Sequence, residues 1–234
     1  MSDTPEPGRQ REKLEGEAKF LARTPSEEIG PMYPVAKPED RGDDLVRSAG
    51  GEAVKGQILY IRGQVIDLTG APIAGAEVEV WHADPNGRYP HPCDMNPAEI
   101  DANFTGWANI KTGPHGRFRL RSTKPGPYPT STPGWWRPPH IHFQVTTAHD
   151  RLVTQMYFPG EELNDRDELL TRHVRLNQDG RVMARRCDLD DGMEADALAI
   201  EFNIVLPTPH TIAAQRSARA QAKRRRIVMG EGDA

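Results

Sequence analysis

Short runs that alternate apolar and polar residues, separated by clusters of Gly, Pro, Asn and Asp, dominate the middle of this chain. In the run 76–81, Val78 and Val80 would lie on one face of a strand, with Glu77 and Glu79 on the other. A β-branched run, Ile58–Asp67, precedes it. The same period of two recurs after it, in Arg117–Arg121, His140–Val145, Leu152–Phe158 and Ile200–Leu206. The 21 glycines and 21 prolines supply many turns, and no Leu-rich helical period interrupts the region. We therefore predict an all-β fold, an antiparallel β-sandwich with long irregular loops.

The chain divides into three parts by composition. Residues 1–50 predict an extended N-terminal arm and connector, because prolines interrupt them repeatedly. Residues 51–207 hold the strand pattern and predict a single β-sandwich domain. Residues 208–234 form a basic tail with four consecutive cations at 223–226, a helix or a frayed end whose charge is typical of a solvated terminus.

Charge and cysteine content exclude several classes of function. The formal net charge of −4 gives no electrostatic case for a nucleic-acid or membrane partner. We expect a cytoplasmic protein, because no apolar run is long enough to span a bilayer and the N-terminus does not resemble a signal peptide. Two cysteines, Cys93 and Cys187, are too few for a disulfide scaffold or a cysteine-based zinc site. Any metal would therefore be bound by His, Tyr or carboxylate side chains.

The sequence His140-Ile141-His142 lies in one of the strand patterns. Alternation places His140, His142 and Gln144 on the same face, so that two imidazoles could bind one metal ion. An H-x-H pair alone is weak evidence, because it is more typical of two ordinary strand histidines, one hydrogen-bonded and one solvated. A cupin metal site would need a Glu shortly afterwards, whereas Phe-Gln-Val-Thr follows here.

Two long stretches do not fit a strand pattern, Asp84–Ala108 and Thr123–Pro139. Long irregular loops in a compact domain are usually functional. Each contains a tyrosine framed by Gly and Pro: Tyr89 in Asn-Gly-Arg-Tyr-Pro-His and Tyr128 in Lys-Pro-Gly-Pro-Tyr-Pro. The prolines fix the backbone around both tyrosines.

Together these segments resemble the intradiol ring-cleavage dioxygenases, and among them the protocatechuate 3,4-dioxygenase type. The resemblance extends from about Ile58 to Leu163. It is carried, in order, by Gly63–Asp67, Gly75–Trp81, Gly87–Tyr89, Asn103–Gly106, Lys124–Pro129, Trp136–Phe143 and Arg151–Phe158.

The resemblance implies a mononuclear non-haem Fe(III) bound by Tyr89, Tyr128, His140 and His142. It implies that a small-molecule catechol binds and displaces Tyr128, and that O2 then cleaves the ring between its two hydroxyl-bearing carbons to give a cis,cis-muconate. Arg137 would stabilise charge that builds on the substrate ring, which makes it a catalytic residue.

Other candidate substrate contacts follow from the same resemblance. Gln155 would lie beside the substrate or O2 pocket. Thr130 stands where the family usually has Trp, so the ring substituent of the substrate stays open. Pro31 belongs to an arm that, through Thr24-Pro25-Ser26 and Gly30-Pro31, resembles the segment closing over the site in protocatechuate α chains, whereas the iron motifs resemble the β chain. One chain with both features predicts a homo-oligomer whose arm lies near its own or a neighbour's site. Tyr33 is a separate candidate, for binding a carboxylate on the substrate.

Two other readings compete with this one. The strands around Gly63–Trp81 also resemble a transthyretin-like β-sandwich, which would be a non-catalytic binding module. A zinc hydrolase could use the H-x-H pair with a third histidine, one of His82, His91, His115 or His149. A non-catalytic module would not require the set of two Tyr and two His side chains. A zinc hydrolase leaves both tyrosine loops unexplained.

Overall fold

The computed structural model describes residues 20–38, 42–46 and 54–228, with side chains as far as residue 224. The strands are β1 (Ile58–Ile66), β2 (Glu77–Trp81), β3 (Trp107–Lys111), β4 (Arg117–Thr123), β5 (Tyr128–Pro129), β6 (Trp136–Arg137), β7 (His140–Thr146), β8 (Arg151–Tyr157), β9 (Arg185–Arg186), β10 (Leu198–Glu201) and β11 (Ile204–Val205). The helices are α1 (Glu168–Arg175) and α2 (Pro209–Val228), and short 3-10 turns cover Asn164–Arg166 and Asp179–Arg181.

These strands form two larger sheets and a small hairpin. One sheet has the order β11-β1-β10-β9, with β4 paired to β1; the other has the order β3-β2-β7-β8. The four-stranded sheet is antiparallel throughout, as predicted. Strand β1, however, pairs in parallel with β10 and β11. The predicted run Ile200–Leu206 is also interrupted, because Phe202 and Asn203 separate β10 from β11.

A single hydrophobic cluster takes its residues from both larger sheets. In β1 the burial alternates, with Leu59, Ile61 and Val65 facing this core. Phe143 of β7 packs with its ring centroid 6.1 Å from that of Phe118. This alternation has the period that the sequence pattern predicted, because successive strand side chains point to opposite faces.

Strand β7 differs because both of its faces are buried. Ile141, Phe143 and Val145 belong to the core, whereas His140 and His142 are buried on the opposite face. Loops and the described part of the arm cover that second face. A sheet face that is buried yet carries polar side chains requires partners for them.

Part of the predicted arm, residues 20–38, packs along the sheets without regular structure. The amide of Thr24 donates to the carbonyl of Val205 at 3.0 Å, and that of Glu27 to the carbonyl of Val153 at 2.8 Å. Some of the predicted arm and the start of the predicted domain lie outside the described residues, namely 1–19, 39–41 and 47–53. The tail was predicted to be either a helix or a frayed end. In the structure it forms a helix, α2, which begins at Pro209. No helix among the described residues is long and apolar enough to cross a membrane.

Candidate metal centre and active site

Two phenols and two imidazoles converge on the buried outer face of β7. The Nε2 atoms of His140 and His142 lie 3.2 Å apart, and the hydroxyl of Tyr128 lies 3.4 Å from Nε2 of His140. The ring centroid of Tyr89 is 5.4 Å from that of Tyr128 and 6.4 Å from that of His142. Tyr89 and both histidines are buried, and Tyr128 is half-buried. The four side chains singled out from the sequence therefore face one another.

Strand register brings these groups together. His140 and His142 share a face of β7, and Gln155 of β8 is the register partner of His142. In the hairpin of β5 and β6, Tyr128 pairs with Arg137, so the arginine is brought to the tyrosine. Backbone pairing of the strands therefore sets the positions of these side chains relative to one another.

The two tyrosine loops are fixed to each other through the backbone of Asp84 and two glycines. Asp84 accepts backbone N–H bonds from Asn86 and Arg88 through Oδ1, and its carbonyl accepts from the amide of Gly126 at 2.9 Å. A Cβ on Gly87, whose φ is +77°, would lie 2.0 Å from the carbonyl oxygen of Pro127. Only glycine permits this conformation together with so close a backbone approach.

Burial and charge keep the cluster neutral when no cation is present. Burial, together with neighbouring Tyr128, raises the pKa of Tyr89 well above its usual value, and burial likewise raises the pKa of Tyr128. Burial and the positive charge of Arg137 hold the pKa values of His140 and His142 well below their usual range. Neutral imidazoles present lone pairs, which is the form that binds metals.

Two polar atoms of the cluster find no hydrogen-bond partner among the described residues. They are the Tyr89 hydroxyl and Nδ1 of His142. Nδ1 of His140, in contrast, donates to the carbonyl of Pro138 at 2.7 Å when the imidazole is neutral, which leaves its Nε2 as an acceptor. Nδ1 of His142 is on the ring edge away from the facing Nε2 atoms, so only the Tyr89 hydroxyl would gain a partner from a bound cation. Because a buried polar group without a partner is costly, that hydroxyl and the two facing Nε2 atoms fit a cation bound among the four side chains.

Arg137 is buried beside the cluster and bonds three side chains. Its Nε donates to Asp167 at 2.5 Å, and its Nη2 donates to Gln155 Oε1 and to the Tyr157 hydroxyl, each at 2.8 Å. Burial alone would lower the pKa of Arg137, but Tyr157, Tyr128 and Asp167 outweigh it and raise the pKa. A permanent positive charge is therefore held next to the tyrosine pair.

Comparison with known proteins identifies the family. The profile of a family described as Dioxygenase matches residues 29–208. The protocatechuate 3,4-dioxygenase β chain of Burkholderia cepacia is 40% identical over 181 residues, which are 74% of this chain and 76% of that protein. The chain belongs to the intradiol dioxygenases. A hydroxyquinol 1,2-dioxygenase of Nocardioides simplex is 32% identical over 76% of this chain, and the match spans 62% of that enzyme, less than two thirds of its length.

Solved structures agree with this assignment. The dioxygenase domain of a dioxygenase carbohydrate-binding protein fusion from Streptomyces sp. SirexAA-E superposes with a TM-score of 0.59 and 28% identity. The superposition covers 80% of this intradiol dioxygenase chain and 99% of that domain. The mainly antiparallel sheets described above are thus shared with that dioxygenase domain.

The arm of this intradiol dioxygenase reaches its own cluster. A Cβ on Gly30 would lie 3.4 Å from Cε1 of His142, and Nε2 of Gln155 donates to the carbonyl of Glu28 at 3.4 Å. Trp81 stacks on the His142 imidazole with centroids 4.9 Å apart and 11° between the planes. The arm and Trp81 together enclose His142.

Three candidate substrate contacts have other partners in the structure or lie outside the cluster. The Tyr33 hydroxyl donates to Glu79 at 3.1 Å, and the Tyr33 ring packs edge-on against Trp81. Thr130 Oγ1 donates to the carbonyl of Trp135 at 3.1 Å, within its own loop. Pro31 is exposed next to Gly30. Contact of these residues with a substrate stays a prediction.

The competing readings find less support in the structure. Both ring nitrogens of His82 have partners, the carbonyl of Ala83 and the hydroxyl of Ser122, each at 2.8 Å. His115 and His149 are exposed. Among the described residues no three or more His, Cys, Asp or Glu side chains cluster as a catalytic zinc site would require. A zinc hydrolase site is therefore not favoured, and a non-catalytic module leaves the converging tyrosines without a role.

Sequence reasoning missed four residues of the site: Asp84, Trp81, Tyr157 and Asp167. Asp84 begins the turn sequence Asp-Pro-Asn-Gly, and Asp167 precedes a short helix as an N-cap, so both carried a local signal. Trp81 and Tyr157 read as ordinary strand aromatics. Only the pairing of β2 and β8 with β7 reveals their place beside the histidines.

Proposed function

We propose that this protein is a non-haem Fe(III) intradiol dioxygenase that cleaves a catechol between its two hydroxyl-bearing carbons with O2. One O2 is consumed per catechol, both oxygen atoms enter the product, and a cis,cis-muconate and two protons result. The single observation that carries the proposal is the convergence of two phenols and two imidazoles on the covered face of β7.

The chemistry of this donor set supports a mononuclear Fe(III) bound by Tyr89, Tyr128, His140 and His142. Phenolate ligands favour a trivalent ion over the divalent one, and neutral imidazoles complete the set. Bound Fe(III) supplies Lewis acidity toward the catechol oxygens and draws electron density so that the ring can react with O2.

Tyr128 is suited to exchange its place with the substrate. It is half-buried, whereas Tyr89 is buried, and it stands in a two-residue strand. Its hydroxyl oxygen can accept one of the two protons that a catechol loses on binding as a dianion. Tyr89, fixed in its loop by a bond of 2.6 Å from its backbone amide to Asp94, stays in place.

Arg137 and Gln155 form the charged wall of the proposed pocket. The guanidinium places a fixed positive charge where negative charge develops on the ring, and a buried location strengthens this effect. Gln155 accepts from Arg137 and donates to the arm, which fixes the side-chain amide. Trp81 and Tyr89 are buried beside the histidines and would limit the access of water to the reacting atoms.

The substrate class is a catechol, and a ring substituent is expected. Relatives are named for protocatechuate and for hydroxyquinol, which differ in that substituent. The experiment is O2 uptake with ultraviolet product spectra on protocatechuate, catechol, hydroxyquinol and sulfocatechol, using iron-loaded protein. We expect equimolar O2 uptake and a muconate spectrum with at least one of them. Iron-loaded, folded protein that is inactive on all four would contradict the proposal.

Two further features are proposed on less direct grounds. The shared core supports a face-to-face sandwich of the two larger sheets, because Phe143 of one sheet packs 5.3 Å, between ring centroids, from Phe202 beside the other. A homo-oligomer is proposed because one chain carries both the arm and the cluster. Light scattering on the purified protein tests the oligomeric state, and a monomer would contradict it.

A further inference from the structure

Helix α1 contacts Arg137 at its N-terminal end and the arm at its C-terminal end. Its N-cap residue, Asp167, is fully buried and bonds the Arg137 guanidinium. Its last turn contains Arg172 and His173, and both of these side chains bond the buried carboxylate of Glu27 in the arm. We propose that α1 is a brace that sets the positions of Arg137 and of the arm, and that Asp167 and Glu27 are positioning residues for the reaction. This inference rests on the proposed function.

The two oxygens of Asp167 have separate tasks. Oδ1 accepts the backbone N–H of Leu170 at 2.8 Å and so caps the helix, while Oδ2 accepts from Nε of Arg137 at 2.5 Å. The other side of the contact is equally committed, because Nη2 of Arg137 bonds Gln155 and Tyr157. Asp167 thus fixes the guanidinium plane along one edge, and the helix cap fixes Asp167.

Glu27 performs the matching task at the other end of the helix. Its side chain is buried, and Oε2 lies 3.2 Å from Nη2 of Arg172, while Oε1 bonds Nε2 of His173. One residue further along the arm, the carbonyl of Glu28 accepts from Gln155. Three residues after Glu27, Gly30 lies so near His142 that an added Cβ would be 3.4 Å from Cε1 of the imidazole. The carboxylate of Glu27 therefore anchors the part of the arm that covers the cluster.

Asp167→Asn separates positioning from folding. Asn is as good an N-cap as Asp, so the helix keeps its cap. Its amide nitrogen, however, would face the Nε–H donor of Arg137, so the fixing contact is lost. Glu168→Gln is the matched control, since it removes the same charge from the next residue, whose side chain is exposed.

The experiment measures kcat and KM by O2 uptake on iron-loaded enzyme, together with thermal unfolding and the visible spectrum. We expect Asp167→Asn to lower kcat about 10- to 100-fold with KM within about threefold, as a misplaced catalytic group does. We expect Glu27→Gln chiefly to raise KM, because the arm is released, and Glu168→Gln to match the wild type. The visible band keeps its position in all three, since none of the changed residues is a proposed ligand.

Equal kcat in wild type and folded, iron-loaded Asp167→Asn would overturn the role of Asp167. Unchanged KM in Glu27→Gln would overturn that of Glu27. If Asp167→Asn does not fold, Asp167→Ser keeps a capping oxygen without the opposing amide and is measured against the same criteria. A wild type that is inactive on every catechol would instead contradict the proposed function, so the two failures are distinguishable.

Discussion

The Nε2 atoms of His140 and His142 face each other at 3.2 Å in a buried cluster that contains two phenols. The bond from Nδ1 of His140 to the carbonyl of Pro138 makes its Nε2 an acceptor that points at the cluster centre. Two imidazoles at this separation cannot both carry a charge, and burial together with Arg137 lowers both pKa values. This arrangement supports the proposed binding of a cation between these nitrogens and the tyrosine oxygens.

Proton competition should govern retention of the metal. Because burial raises the pKa values of Tyr89 and Tyr128, both phenols are protonated without a metal and must lose their protons to bind it. Affinity for iron therefore falls as pH falls. In Tyr89→Phe the dependence of log Kd on pH should be shallower by about one proton. The measurement is loss of bound iron along a pH series, and an unchanged slope would exclude Tyr89 as a ligand.

Arg137 should be required for rate and not for metal binding. Lysine cannot reproduce the bonds to Asp167, Gln155 and Tyr157 from a planar fork. We expect Arg137→Lys to lower kcat/KM about 10²- to 10³-fold, the range for loss of one electrostatic donor, with iron content unchanged. Arg185→Lys, an exposed arginine paired with Glu201, is the control for steady-state O2 uptake. Wild-type rates in Arg137→Lys would contradict its role.

Gly87 should couple fold stability to metal retention. An added Cβ would collide with the carbonyl of Pro127 and also strain a backbone with φ of +77°. Gly87→Ala should lose at least about 1–3 kcal/mol of unfolding free energy and part of its iron, because the two tyrosine loops are forced apart. Urea unfolding of the iron-free protein and its metal content are the measurements. Gly180→Ala, where the added Cβ meets nothing within 4 Å, should be near neutral.

Buried His82 should make the iron-free protein acid-sensitive. Burial lowers the pKa of His82 from 6.5 to about 4, so the unfolded chain binds its proton more readily than the native protein. The stabilisation is complete above pH 6.5 and is lost as pH falls toward 4, up to about 3 kcal/mol. His82→Gln should flatten this part of the stability curve, whereas exposed His149→Gln should not. Identical curves for wild type and His82→Gln would contradict the assignment.

Local patterns in the sequence were sufficient for several of the strands and for two of the four clustered side chains. Alternation located β2, β4, β7 and β8, and the H-x-H run placed both histidines on one face. The tyrosines needed more than periodicity, because only the resemblance of whole loops singled them out. The two-residue strands β5, β6 and β9 are too short to have a period.

Long-range contacts account for most of what the sequence did not reveal. Asp167 carries an N-cap signal, but its bond to Arg137 joins residues 30 positions apart. Glu27 and His173 are separated by 146 positions. Such pairs depend on how β6, β8 and α1 pack together, and no local pattern encodes this. The parallel pairing of β10 and β11 with β1 was missed for the same reason.

The visible absorption spectrum of purified, iron-loaded protein tests the central claim most directly. Tyrosinate bound to Fe(III) gives a charge-transfer band, so the account predicts a red-brown protein whose band shifts in Tyr128→Phe. It also predicts that Tyr33→Phe, whose hydroxyl is bonded to Glu79, leaves the band unchanged. A colourless protein that retains one Fe(III) per chain, or a coloured Tyr128→Phe with the wild-type spectrum, would contradict the proposed iron site.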